Sequence, residues 1–148
     1  MTTAGPPEVS AALSALVETC RDGELGFHAA AARIADPLLR QLCESYADQR
    51  AGFRRELGWE LARLGLESVA IDPVGPARNP ASLSARAEES ATLAELARRE
   101  AAAEATYREA LHRGIPGPMT ETVERQHLQV RDALTHLSQL ERALAGQT

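Results

Sequence analysis

Glu67-Ser-Val-Ala-Ile-Asp-Pro-Val-Gly-Pro-Ala-Arg-Asn-Pro-Ala-Ser82 interrupts a chain that reads as helix on both sides. Pro73, Pro76 and Pro80, with Gly75 among them, fix φ and remove backbone donors too often for a regular helix, so residues 67–82 are expected to form an extended connection. A run of about 16 extended residues reaches about 50 Å, whereas a helix of about 28 residues is about 42 Å long. The segment can therefore run the length of such helices. A bundle of simple up-down-up-down topology needs only a short loop at this point.

Upstream of that stretch, Leu13, Leu16, Val17, Cys20, Phe27, Ala31 and Ile34 recur at three- and four-residue spacing and predict a helix over about 8–35. Asp36-Pro37 supplies an N-cap and a proline at the first helical position, which starts a second helix over about 37–66. The seam read for it is Leu39, Leu42, Tyr46, Gln49, Phe53, Leu57, Leu61 and Leu64, stopped at Gly65. Downstream, Leu93, Leu96, Glu100, Ala103, Tyr107 and Leu111 mark a third helix over about 83–113. Val123, Gln126, Val130, Leu134, Leu137 and Leu140 mark a fourth over about 119–145. The short links at residue 36 and at residues 114–118 make each pair an antiparallel hairpin. The expectation is one all-α domain over residues 1–148, a four-helix bundle of ferritin-like type: two antiparallel hairpins joined by a long Pro-rich crossover at 67–82.

Composition agrees with this and narrows the function. Aromatics make up only 3% of 148 residues, so the core must be built from Leu, Val and Ala, which suits closely packed helices. The net charge is -5 and lysine is absent, all 16 basic residues being Arg. The acidic balance argues against nucleic acid as a partner, since phosphate backbones require a basic face. No stretch approaches the length of a membrane span and no leader is visible in the first ten residues, which predicts a cytoplasmic protein. Cys20 and Cys43 lie at heights about 13 Å apart in the first hairpin and are expected to be reduced, buried thiols.

Four polar residues interrupt the apolar stripes, one per helix: Glu24, Gln49, Glu100 and Gln126. The midpoint of 24 and 49 falls at the first turn and that of 100 and 126 at the second, so each pair is expected to share a level, about 19 Å from its turn. A lone buried carboxylate costs several kcal/mol, so it must be neutral, hydrogen-bonded or bound to a cation. Two readings follow. In the first, Gln49 and Gln126 donate their amides to the two glutamates in a structural layer that sets helix register, and Glu100→Gln is tolerated. In the second, Glu24 and Glu100 are metal-binding carboxylates with Gln49 and Gln126 as weak oxygen ligands, iron or manganese as the ion, and ferroxidase or peroxidase-like activity.

The run Leu16-Val-Glu-Thr-Cys-Arg-Asp-Gly-Glu-Leu-Gly-Phe27, the stretch Asp48-Gln49-Arg50, Glu100 followed by Tyr107, and Gln126 within Glu-Arg-Gln-His127 resemble an uncharacterised bacterial ferritin-like family of unknown function. It is distantly similar to rubrerythrins and bacterioferritins. The resemblance spans about residues 9–145 and implies a four-helix bundle, non-catalytic, with a stress-associated or scaffolding role and a homo-oligomeric, dimeric state. In that family the connection between the second and third helices is longer and carries a short helix of its own; here it is only the Pro-rich run.

The Glu-x-x-His signature of di-iron bundles is missing from the second helix, where Gln49-Arg-Ala-Gly-Phe53 has no histidine. The fourth helix does contain Glu124-x-x-His127, but Glu124 lies off the Val123–Gln126–Val130 seam and points toward solvent. Tyr46 and Tyr107 lie near the polar layer and are read as core aromatics with bonded hydroxyls, with metal ligation or radical chemistry as the alternative. Trp59 marks a packing or dimer surface. No nucleophile triad, phosphate loop or zinc pattern is present.

Overall fold

A computed structural model describes residues 6–65, 85–115 and 117–146, with side chains from residue 8 in the first stretch and residue 88 in the second. The described residues form four helices and no strands: α1 (Pro6–Arg33), α2 (Pro37–Arg63), α3 (Ala85–Arg113) and α4 (Gly117–Ala145). α1 and α4 each start two residues before the expected position, and α1 ends two residues earlier, at Arg33. The crossover expected at 67–82 lies outside the described residues. None of the described helices is long and apolar enough to cross a membrane.

The helix ends follow from local chemistry. Asp36 has extended backbone, and its Oδ1 accepts from Leu38 N at 2.8 Å and Leu39 N at 3.2 Å, with Pro37 at the first helical position. α2 closes at Gly65, whose φ of 69° is the left-handed conformation that an L side chain adopts at a cost, and its N–H donates to Ala62 O. Gly114, at φ 89°, ends α3 in the same way.

α1 packs on α2 and α3 packs on α4, while α1 also packs on α3 and α2 on α4. The diagonals are thus α1/α4 and α2/α3. Glu89, early in α3, accepts from Ala35 N and Asp36 N at 3.1 and 3.0 Å. This places the start of α3 at the α1–α2 turn, so α2 and α3 run in the same direction.

The apolar core divides in two. One cluster gathers Val9, Leu13, Leu16, Val17 and Cys20 with Phe53, Leu57, Leu61, Tyr107, Met119, Val123 and Val130. The other gathers Phe27, Ile34, Cys43, Ala47, Leu93, Leu96 and Leu137 toward the α1–α2 turn. On α1, α2 and α3 the boundary between them falls at Glu24, Arg50 and Glu100, all buried.

Candidate functional site

The interior polar groups are organised by two arginines one helical turn apart on α2. Positions 43, 47, 50, 53, 54, 57, 58 and 61 of α2 are buried, a stripe in which Arg50 and Arg54 stand in line with Cys43, Ala47, Leu57 and Leu61. The seam inferred from sequence holds at Phe53, Leu57 and Leu61, which are buried, and runs about one residue out of phase before them, through Tyr46 and Gln49 where Ala47 and Arg50 are buried. In the structure Gln49 is half-buried and Leu64 exposed.

Arg50 is 1% exposed and Glu100 2%. Their contact is a fork, Nη1 to Oε1 at 2.5 Å and Nη2 to Oε2 at 2.7 Å, the bidentate geometry that planar guanidinium and carboxylate groups favour. Arg50 Nε donates to Gln49 Oε1 at 3.2 Å. The guanidinium carbon lies 5.4 Å from the Phe27 ring centroid and 5.8 Å from that of Phe53, adding cation–π attraction. Burial alone would lower the Arg50 pKa, but the hydrogen bonds and charge of Glu100 reverse this and hold it above the ordinary arginine value. A Cβ at Gly23 would come 3.3 Å from Arg50 Cγ and 3.5 Å from Nη1, so the glycine on α1 leaves room for the side chain to cross to α3.

Arg54 is 5% exposed and Glu24 7%. Arg54 Nε and Nη2 both donate to one oxygen, Glu24 Oε1, at 3.2 and 2.9 Å. Its Nη1 is buried and has no hydrogen-bond partner among the described residues.

This arrangement corrects the expected glutamate–glutamine layer. Glu24 and Glu100 take their described hydrogen bonds from guanidinium groups, not from Gln49 and Gln126. Gln49 Nε2 instead donates to Gln129 Oε1 at 3.1 Å. Gln126, fully buried, accepts from Tyr107 OH at 2.6 Å and donates from Nε2 to Glu56 Oε1 at 3.1 Å and Phe53 O at 3.4 Å. The expected level-pairing within hairpins gives way to a contact across the α2/α3 diagonal and to one within the first hairpin, four residues beyond Arg50.

Because the Tyr107 hydroxyl proton goes to Gln126, the Cys20 thiol, 3.1 Å from Tyr107 OH, is the donor in that contact. A hydrogen-bonded chain thus runs from Cys20 through Tyr107 and Gln126 to Glu56. Glu56 in turn meets exposed Arg125 at 2.5 and 3.3 Å. Burial pushes the Cys20 thiol up to about 11, and burial also raises the Tyr107 phenol well above its usual value. Cys43 is likewise raised to about 11 by burial, and both cysteines are free.

Of the remaining candidates, Tyr46 is half-buried, packs on Phe27 at 5.2 Å and meets His136 Nδ1 through its hydroxyl at 3.1 Å. Glu124 is exposed and does not meet His127, whose Nε2 lies 2.8 Å from Glu104 Oε2 and whose ring stacks on Tyr107 at 6.3 Å. Trp59 is exposed. Among the described residues no three His, Cys, Asp or Glu side chains converge as metal ligands would.

Sequence reasoning named Arg50 only within the Asp48-Gln49-Arg50 stretch and gave neither Arg50 nor Arg54 a role. The available signal was the demand of two interior carboxylates for counter-cations, met by two arginines at i, i+4 in phase with Cys43, Ala47, Leu57 and Leu61.

Comparison with known proteins gives one family: that described as a domain of unknown function, DUF2383, matches residues 8–113. No curated protein matches the sequence.

Proposed function

The chain belongs to the DUF2383 family, and we propose that it is a non-catalytic bundle of ferritin-like architecture whose interior cations are its own guanidinium groups. One observation carries the reading: both carboxylates that a di-metal bundle would offer to its ions, Glu24 and Glu100, are already bound to Arg54 and Arg50. An iron or manganese ion between them would have to displace two buried guanidinium groups, and two divalent ions added to those charges would leave four further positive charges against the same two carboxylates. The donor set therefore does not fit a di-metal centre, and the amides of Gln49 and Gln126 are committed elsewhere.

The ferritin-like part of the reading is supported by the parallel course of α2 and α3 and by their diagonal placement, the order that a crossover between hairpins produces. A cytoplasmic setting is supported by two buried, free cysteines. Exposed Leu38 and Trp59 on α2 and Leu64 at its C-cap supply apolar surface for a homodimer. The stress-associated role rests on the sequence resemblance alone.

The test is metal content of the purified protein by mass spectrometry, followed by anaerobic Fe(II) titration and exposure to air. The expected result is no stoichiometric metal and no protein-dependent oxidation. Near-stoichiometric iron or manganese that disappears in Glu24→Ala and Glu100→Ala, with peroxide turnover, would overturn the reading in favour of a metal enzyme.

A further inference from the structure

Away from the interior pairs, a cavity of about 320 Å³ opens on the α3–α4 face, lined by Glu104, Arg108, His127, Arg131, Leu134 and Thr135. Its volume falls at the small end of ligand clefts, which begin at roughly 300 Å³. His127, Arg131 and Thr135 recur every four residues, so α4 turns one stripe of donors toward the Glu104–Arg108 turn of α3.

The charges here do not cancel. Glu104 is the one carboxylate in the lining, and its two oxygens are already divided: Oε1 takes Arg108 Nη1 at 3.0 Å and Oε2 meets His127 Nε2 at 2.8 Å. That arrangement holds Arg108 and His127 in place while leaving Arg108 Nε and Nη2 without described partners. His127 is further fixed by its stack on Tyr107, the two ring planes only 6° apart. Arg131, exposed, makes no ion pair among the described residues. Two guanidinium groups against one shared carboxylate thus leave a positive recess on a chain whose net charge is -5.

We propose that this recess binds a small phosphate-bearing molecule, with Arg131 and the free face of Arg108 as the two guanidinium donors, the Thr135 hydroxyl as a neutral donor and Leu134 as the apolar wall. Guanidinium groups match phosphate oxygens in bidentate geometry. The volume admits a diphosphate or a small phosphomonoester. The site is independent of the interior arginine–glutamate pairs and stands whether or not the bundle binds metal.

The test is titration of inorganic pyrophosphate into the full-length protein in low-salt buffer, followed by calorimetry and by backbone amide shifts, with Arg131→Gln, the double variant Arg108→Gln/Arg131→Gln, and Arg98→Gln as a distant control. The expected result is saturable 1:1 binding with shifts centred on residues 127–135 and 104–108. Loss of one charge-assisted contact should weaken binding about tenfold in Arg131→Gln and further in the double variant, with Arg98→Gln unchanged. Linear, unsaturated shifts would overturn the proposal, as would equal weakening by Arg98→Gln, which marks diffuse screening. All three positions are exposed, and melting curves matched to wild type show that the variants are folded.

Discussion

Arg50 and Arg54 lie one turn apart on the same helix, each buried and each holding a glutamate, yet the two pairs are built differently. Arg50 spends all three nitrogens: two on both oxygens of Glu100 and Nε on Gln49, between the rings of Phe27 and Phe53. Its contact spans the α2/α3 diagonal, where no backbone packing exists among the described residues. Arg54 spends two nitrogens on a single oxygen of Glu24, leaves Nη1 unpaired among the described residues, and joins helices already packed together. The difference teaches that a buried ion pair is only as good as the satisfaction of its spare valences. The first pair closes a gap that packing leaves; the second reinforces a contact that packing already makes.

The sharpest way to break this contrast is to remove each cation in turn. Arg50→Met leaves Glu100 buried and uncompensated and should cost about 3–5 kcal/mol in urea unfolding. Glu100→Gln strips Arg50 of its counter-charge and should also be clearly destabilising, the reverse of the tolerance expected when a glutamine was taken as the partner. Arg54→Met should cost less, about 1–3 kcal/mol, because it removes an orphaned nitrogen along with the pair. Equal losses for Arg50→Met and Arg54→Met would remove the distinction.

Alkaline pH probes the chain of buried groups beside the pairs. Cys20 and Cys43, normally near 9.0, are raised to about 11, and Tyr107 is raised as well. Between about 9 and 11 the unfolded chain has lost thiol protons that the folded chain retains, so the stabilisation is full below 9 and is lost as pH rises to 11. The urea midpoint should fall across that window, and native thiols should resist alkylation at pH 8. The smallest effect is expected at the rim: Arg125→Ala, removing the half-exposed partner of Glu56, should shift stability by less than about 1 kcal/mol.

The four helices were legible because their signals are local: Asp36-Pro37, Gly65, Gly114 and apolar spacing each act within a turn or two. That polar groups interrupt the core was also visible, through Glu24, Glu100 and Gln126. Their partners were not read, because the stripe was followed through Gln49 and not through Arg50 and Arg54, which share the buried face with Cys43, Ala47, Leu57 and Leu61. Gln49 was placed on the seam where Arg50 belongs, an error of one residue, or about 100° around the helix. The diagonal contact from Arg50 to Glu100 was beyond reach for a second reason: symmetry within each hairpin was used to set levels, and a link between hairpins obeys no such rule. The Glu104, Arg108, His127 and Arg131 recess was missed because its residues come from two helices and lie off both apolar stripes.

A double-mutant cycle on Arg50→Met and Glu100→Leu, followed by urea unfolding, tests most directly whether the interior carboxylate belongs to a guanidinium. Each single change should be strongly destabilising, and the double variant should recover most of the loss, giving a coupling of about 2–3 kcal/mol that is indifferent to added Fe(II) or Mn(II). Additive losses with no coupling, together with a wild-type midpoint that rises when either ion is supplied anaerobically, would contradict the account and return Glu100 to a metal.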